Sequence, residues 1–168
     1  ATYINVHDEL RKRFAKTESA KSKGYKAGDF SYNTGKLRCP TCDGTGTLSL
    51  DVQFLPDVHV TCPDCQGSRY NKESYFIKYK TSKEKEYSLP ELMEMDVSFA
   101  KEACQGLKGV YRKLEVLENL GLGYLTLGEE TPSLSGGEAQ RLKLASEMSK
   151  SQNDSIFIFD EPTIGLHP

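Results

Sequence analysis

Two short turns, CPTC at 39–42 and CPDC at 62–65, limit what this chain can fold into more than any other feature. Nineteen residues separate the pairs, a spacing that suits a four-cysteine metal site. Each Cys-x2-Cys turn aims two thiolates at one point, and two such turns complete a tetrahedron about Zn2+. Between them, TLSLDVQF at 47–54 alternates Leu48, Leu50, Val52 and Phe54 with polar residues, which predicts a strand. Leu55–Asp57 breaks the pattern and Val58–Val60 resumes it, so a small ribbon would carry the second turn back to the first. The competing readings are disulfides, which belong to exported chains, and a redox Cys-x2-Cys, which normally occurs once. Zinc is the expectation, with Cys39, Cys42, Cys62 and Cys65 as ligands. Four ligands leave no open position, so the site would be structural. His59 is then surplus to the metal and reads as an ordinary strand residue. Cys104 reads as a buried helix residue. Lys36, Arg38, Arg69 and Lys72 flank the turns and are the candidates to meet nucleic-acid phosphates.

Charge is uneven along the chain. The net is −2 overall, but residues 1–40 hold nine Lys/Arg against four Asp/Glu, while the remainder holds thirteen against twenty. A basic stretch beside the first cysteine turn fits a nucleic-acid surface, and equally a solvated helix face. With 27% charged residues and a mean hydropathy of −0.56, no run is apolar enough to span a bilayer. The abrupt ends, ATYINV and GLHP, suggest a fragment of a larger protein.

Periodicity predicts several elements. Val6, Leu10 and Phe14 form one stripe of a helix over 5–16. Residues 17–38 read as loop and 74–79 as a short strand. Ser88 with Glu91 makes a capping box for a helix with Pro90 in its first turn. Asp96 caps a helix through Ala103. Val110, Leu114, Leu117 and Leu120 line a helix over 109–120 that Gly121 stops. Ser135 caps a helix running to Lys150, and Ser155–Phe159 reads as a strand buried on both faces of a parallel sheet.

Two further motifs carry chemistry. In LSGGEAQ, 134–140, the residues Ser135, Gly136 and Gly137 present bare amides and a hydroxyl at a helix N-terminus, an arrangement suited to an anion. In IFIFDEP, 156–162, a buried strand delivers Asp160 and Glu161 to its C-terminal end. Asp160 suits Mg2+, and Glu161 suits orienting an attacking water. The order and spacing of the two motifs resemble those of ABC ATPases. The phosphate loop G-x4-G-K-[ST] has no match in the 168 residues. In the ABC family two nucleotide-binding domains sandwich ATP, and each domain's signature loop reaches nucleotide held by the other. The resemblance therefore implies that Leu134, Ser135, Gly136, Gly137, Glu138 and Gln140 touch ATP bound elsewhere.

The whole chain resembles the second half of the UvrA family, the ATP-binding, damage-recognising subunits of bacterial excinuclease ABC systems. The matching pieces are ATYINVHDELRKRFA, GYKAGDFSYN with RCPTCDGTG, FLPDVHVTCPDCQGSRYN, LGLGYLTLGEETPSLSGGEAQRLKLASEMSK and DEPTIGLHP. The resemblance implies an α/β nucleotide-binding domain, α+β within these residues, with an inserted four-cysteine zinc module and a helical signature lobe. Its parts would be a helix and basic linker at 1–35, the zinc module at 36–73, the signature lobe at 74–150, and the Walker B strand with the start of the D-loop (near Gly165 and Leu166) at 151–168. It implies damaged duplex DNA, UvrB and a second UvrA protomer as partners, ATP, magnesium and zinc as cofactors, a bacterial cytoplasm, and the SOS response. The alternatives are a UvrA-like paralogue of drug resistance or self-protection, and a stand-alone zinc-stabilised DNA-binding module. CPTCDGTG also resembles, weakly, the zinc turns of Hsp40-type chaperones. The fragment by itself is expected to be inactive.

Overall fold

A computed structural model describes residues 4–50, 58–129 and 134–148. Helices and short antiparallel ribbons alternate through these residues, the mixed content that the sequence predicts. Contacts divide the chain into two compact units, residues 8–94 and residues 1–7 with 95–168.

The first unit is held by an aromatic core. Helix α1 (Val6–Phe14) buries Leu10 and Phe14 completely, as its stripe predicts. Phe14 packs on Phe30 and Tyr79 with ring centroids 6.0 and 6.1 Å apart, and the guanidinium of Arg13 lies 5.2 Å from the Tyr79 ring centre. Residues 17–38 are not simply loop. They form helix α2 (Glu18–Ser22), in which the Ala20 amide donates to the Thr17 hydroxyl, and a 3-10 turn at Ala27–Phe30 that buries Phe30. The polar, glycine-rich composition of this stretch conceals a few isolated buried side chains, too few for a periodic signal.

Strands β1 (Thr47–Leu50) and β2 (Val58–Thr61) pair antiparallel, with Thr47 opposite Thr61 and Leu50 opposite Val58. The predicted ribbon is therefore present; residues 51–57, which complete the predicted strand and its break, lie outside the described residues. The strand expected at 74–79 is corrected. Asn71 caps a 3-10 turn at Lys72–Phe76, its side chain accepting from the Ser74 amide, and only then does β3 (Lys78–Lys80) begin, paired with β4 (Glu86–Ser88). A side chain that satisfies the backbone locally overrides the apolar run. Helix α3 (Leu89–Glu94) starts at the predicted capping box: the Ser88 amide donates to Glu91 Oε2 at 2.6 Å, and the Glu91 amide approaches Ser88 Oγ at 3.4 Å.

In the second unit, α4 (Val97–Ala103) is capped by Asp96, whose carboxylate accepts from the Phe99 amide at 2.8 Å. Helix α5 (Lys108–Asn119) buries Val110, Leu114 and Leu117. Gly121 ends it with φ +72°. Its amide donates to the Glu118 carbonyl and that of Leu122 to the Leu117 carbonyl, at 2.9 and 3.0 Å. That pair of bonds, with Leu117 and Leu122 both buried, is a Schellman stop. Helix α6 (Gly136–Met148) buries Gly137, Leu142 and Ala145.

Candidate metal centre and signature loop

The four cysteines converge in the first unit. Their Sγ atoms all lie within 4.8 Å of one another, and every cysteine is a free thiol. Cys39 and Cys62 are 3.9 Å apart, and Cys42 and Cys65 are 3.6 Å apart. A disulfide needs about 2.05 Å, whereas a tetrahedron of Zn–S bonds near 2.3 Å has edges of roughly 3.8 Å. The donor set and its spacing fit a four-coordinate metal. All four are buried, and Leu48 of β1 packs against them.

The two turns repeat one backbone design. Positive φ falls at Asp43, Gly44 and Gly46 in the first (52°, 82°, 82°) and at Gln66, Gly67 and Arg69 in the second (49°, 88°, 70°). These are the same three offsets after the second cysteine of each turn. They curl the chain so that amides face sulfur: Gly46 donates to Cys42 Sγ at 3.2 Å, Gly44 also bonds it, and Gly67 and Arg69 bond Cys65. The turns also clasp each other. The Cys62 amide donates to the Gly46 carbonyl at 2.9 Å, and the Cys39 amide to the Arg69 carbonyl at 2.8 Å. Thr41 and Asp64, at equivalent positions in the two turns, are joined by a hydrogen bond. Gly44 has no alternative: a Cβ there would lie 1.7 Å from the Tyr32 carbonyl oxygen.

Burial opposes ionisation of these thiols. It raises Cys39 and pushes Cys65 up to about 12. At Cys42 the Gly46 amide, the Cys65 thiol and the Gly44 amide outweigh burial and bring the pKa down to about 7. One readily ionised thiol among more reluctant ones means that metal uptake releases protons.

The flanking cations separate into two kinds. Arg38 binds Asp43 at 2.8 Å and the Asn33 carbonyl at 2.9 Å, and Arg69 stacks on Tyr32 with its guanidinium carbon 5.0 Å from the ring centre. Both brace the module. Lys36 and Lys72 are exposed. An isolated antiparallel bridge between Arg38 and Tyr70 joins the two segments that carry them. His59 is exposed in β2, as expected of a strand residue. Cys104 is fully buried at the end of α4, where burial pushes its pKa up to about 12.

The signature motif lies in the second unit. Ser135 and Gly136 are exposed and Gly137 is buried at the start of α6, with Leu134 partly buried and Gln140 exposed. A capping box closes the turn: the Ser135 amide donates to Glu138 Oε2 at 2.7 Å and the Glu138 amide to Ser135 Oγ at 3.3 Å. Tyr124 donates its phenolic hydrogen to the other oxygen of Glu138, a partner that the motif alone does not reveal. Asp160, Glu161, the Ser155–Phe159 strand, Gly165, Leu166 and the last residues of the predicted signature helix lie outside the described residues. No helix among the described residues is long and apolar enough to cross a membrane.

No protein-family model matches the chain. Curated relatives do. The chain is 46% identical over 168 residues to the UvrABC system protein A of Mycobacterium tuberculosis, and equally to those of Streptococcus pneumoniae and Staphylococcus aureus. Each match covers 99% of this chain and 17% of the relative, so the chain spans about a sixth of their length. The crystal structure of UvrA2 from Deinococcus radiodurans superposes with a TM-score of 0.88 at 41% identity, over 100% of this chain and 20% of that one. The fold is the one that structure shows, and both the four-cysteine cluster and the signature turn lie within the matched length.

Proposed function

Since the chain belongs to the UvrA family, we propose that it supplies the zinc module and signature loop in the second nucleotide-binding half of a DNA-repair ATPase. The longer protein would recognise damaged duplex DNA in nucleotide excision repair, with UvrB and a second protomer as partners, in the bacterial cytoplasm. The carrying observation is the 46% identity over a matched length that includes both the cysteine cluster and LSGGEAQ.

Each residue set then has a task. Cys39, Cys42, Cys62 and Cys65 hold a zinc ion that fixes the two turns, and its chemistry is structural because no ligand position is left open. Lys36 and Lys72, both exposed, meet DNA phosphates; Arg38 and Arg69 hold the surface that presents them. Gly136 and Gly137 offer amides, and Ser135 its hydroxyl, to the terminal phosphate of ATP held by the opposing domain. Asp160 holds magnesium and Glu161 orients water for the nucleotide of its own half. The 168 residues contain no phosphate loop, so alone they neither bind ATP tightly nor turn it over.

The test is ATP turnover and duplex binding by the full-length protein. Glu161→Gln is expected to abolish turnover, and the affinity for DNA to fall steeply as salt rises. Undiminished turnover in Glu161→Gln, salt-independent DNA binding, or hydrolysis by the 168 residues alone would each contradict the proposal.

A further inference from the structure

We propose that Tyr124 is a positioning residue for the signature loop, one that, with the Ser135 amide, keeps the Glu138 carboxylate off the Gly136 and Gly137 amides at the start of α6. The inference rests on the ABC reading above and adds to it a residue outside the signature motif.

The geometry begins with Glu138. It is the only carboxylate in the signature motif, one turn from amides that are to receive a phosphate. A tethered carboxylate competes for those amides at high effective concentration, and its charge opposes an incoming anion. In the structure both its oxygens are occupied. Oε2 accepts the Ser135 amide, and Oε1 accepts the Tyr124 hydroxyl. Arg141 lies close enough to act on both side chains. The carboxylate is thus turned towards Tyr124.

Tyr124 is a fixed support. The loop that carries it is laced to the first turn of α4: the amides of Val97 and Ser98 donate to the carbonyls of Leu125 and Gly123 at 2.9 and 3.1 Å. The Leu127 amide donates to the Met95 carbonyl at 2.9 Å. Helix α4 spends its otherwise unpaired N-terminal amides on this loop. Gly123 permits the approach, since a Cβ there would lie 2.6 Å from Ser98 Oγ. With its backbone held and the residue 62% exposed, the Tyr124 side chain is placed by its bond with Glu138 rather than by burial. The pull is mutual: the bond to Tyr124 comes first in lowering the Glu138 pKa, and the bond to Glu138 first in raising that of Tyr124.

The experiment is a double-mutant cycle in ATP turnover by the full-length protein, with Tyr124→Phe, Glu138→Gln and their combination. Glutamine keeps the capping box and removes the charge. Tyr124→Phe is expected to lower kcat about threefold to tenfold with KM for ATP unchanged, because the signature loop engages nucleotide already held by the other domain. In the Glu138→Gln background the same change has little further effect. A kcat loss of equal size in both backgrounds, no loss in either, or a loss that tracks a fall in Tm overturns the proposal. Glu161→Gln is run alongside. If turnover persists there, the ABC reading itself fails; if it vanishes there and the cycle is additive, only the role of Tyr124 fails.

Discussion

Gly44 and Gly28 make a matched pair of tests at the scale of single residues. Gly44 sits at φ +82° with the Tyr32 carbonyl against its α-hydrogen, whereas a Cβ on Gly28 meets nothing within 4 Å. Gly44→Ala should destabilise the cysteine module by about 2 kcal/mol or more, from left-handed strain and a forced backbone shift. Gly28→Ala should be near neutral. Chemical denaturation of the metal-loaded chain checks both. The cysteines were readable from spacing alone because a metal site fixes residue type and separation together. The amides that face Cys42 and Cys65 were not, since they are backbone groups aimed by positive φ at Asp43, Gln66 and Arg69, residues whose side chains give no hint of it. Tyr124 was hidden for a related reason. Its partner lies 14 residues away, beyond any local pattern.

Among the elements, the helices with an apolar stripe or a strong cap and the alternating ribbon were legible, and the short α2 and the 3-10 turns were not. Ser88 with Glu91, Asp96, and Gly121 mark helix ends through groups that satisfy specific backbone partners. The 3-10 turn at Lys72–Phe76 defeats periodicity because Asn71 decides it. Two predictions belong here. Gly121→Ala should cost about 1 kcal/mol, since φ +72° strains any L-residue even though the space beside it is open. The Glu91 box should give stability a pH dependence. Burial works to raise the Glu91 carboxyl, but the Lys78 ammonium, 2.7 Å away, and the Ser88 amide and hydroxyl outweigh it, so its folded pKa lies below the ordinary value. A depressed carboxyl contributes fully above its unfolded pKa and loses that contribution as pH falls through the lower, folded pKa. Glu91→Gln should therefore flatten the acid limb of the stability–pH curve while lowering stability at neutral pH by about 1 kcal/mol. An unchanged acid limb would argue that the ion pair and box contribute nothing.

The molecule as a whole carries a four-cysteine module, the proposed metal site, and the LSGGEAQ turn within one chain. Each part has its own physical support. Among the described residues Leu48 is the partly buried hydrophobic packed on the cysteine cluster, so the order of the turns would rest on the proposed metal. The second unit has a helical core of its own, with Val97, Ala100, Leu114, Leu117, Leu122 and Leu142 buried. Chelation should therefore loosen residues around 36–72 and leave α4 and α5 protected, as read by hydrogen exchange along the chain. Equal loss of protection in both units would mean that the metal supports the whole fold. The cysteine cluster was legible in the sequence because metal chemistry dictates the spacing of its motif. The sequence left the division into units at residues 8–94 unseen, because that division depends on which helices pack together.

The proposed metal site is tested first by elemental analysis of the purified chain, combined with thiol titration before and after chelation. One zinc per chain is expected, with four thiols that become reactive only when zinc is removed and Cys104 staying protected by its burial. A chain that contains no zinc and shows four reactive thiols from the start would contradict it.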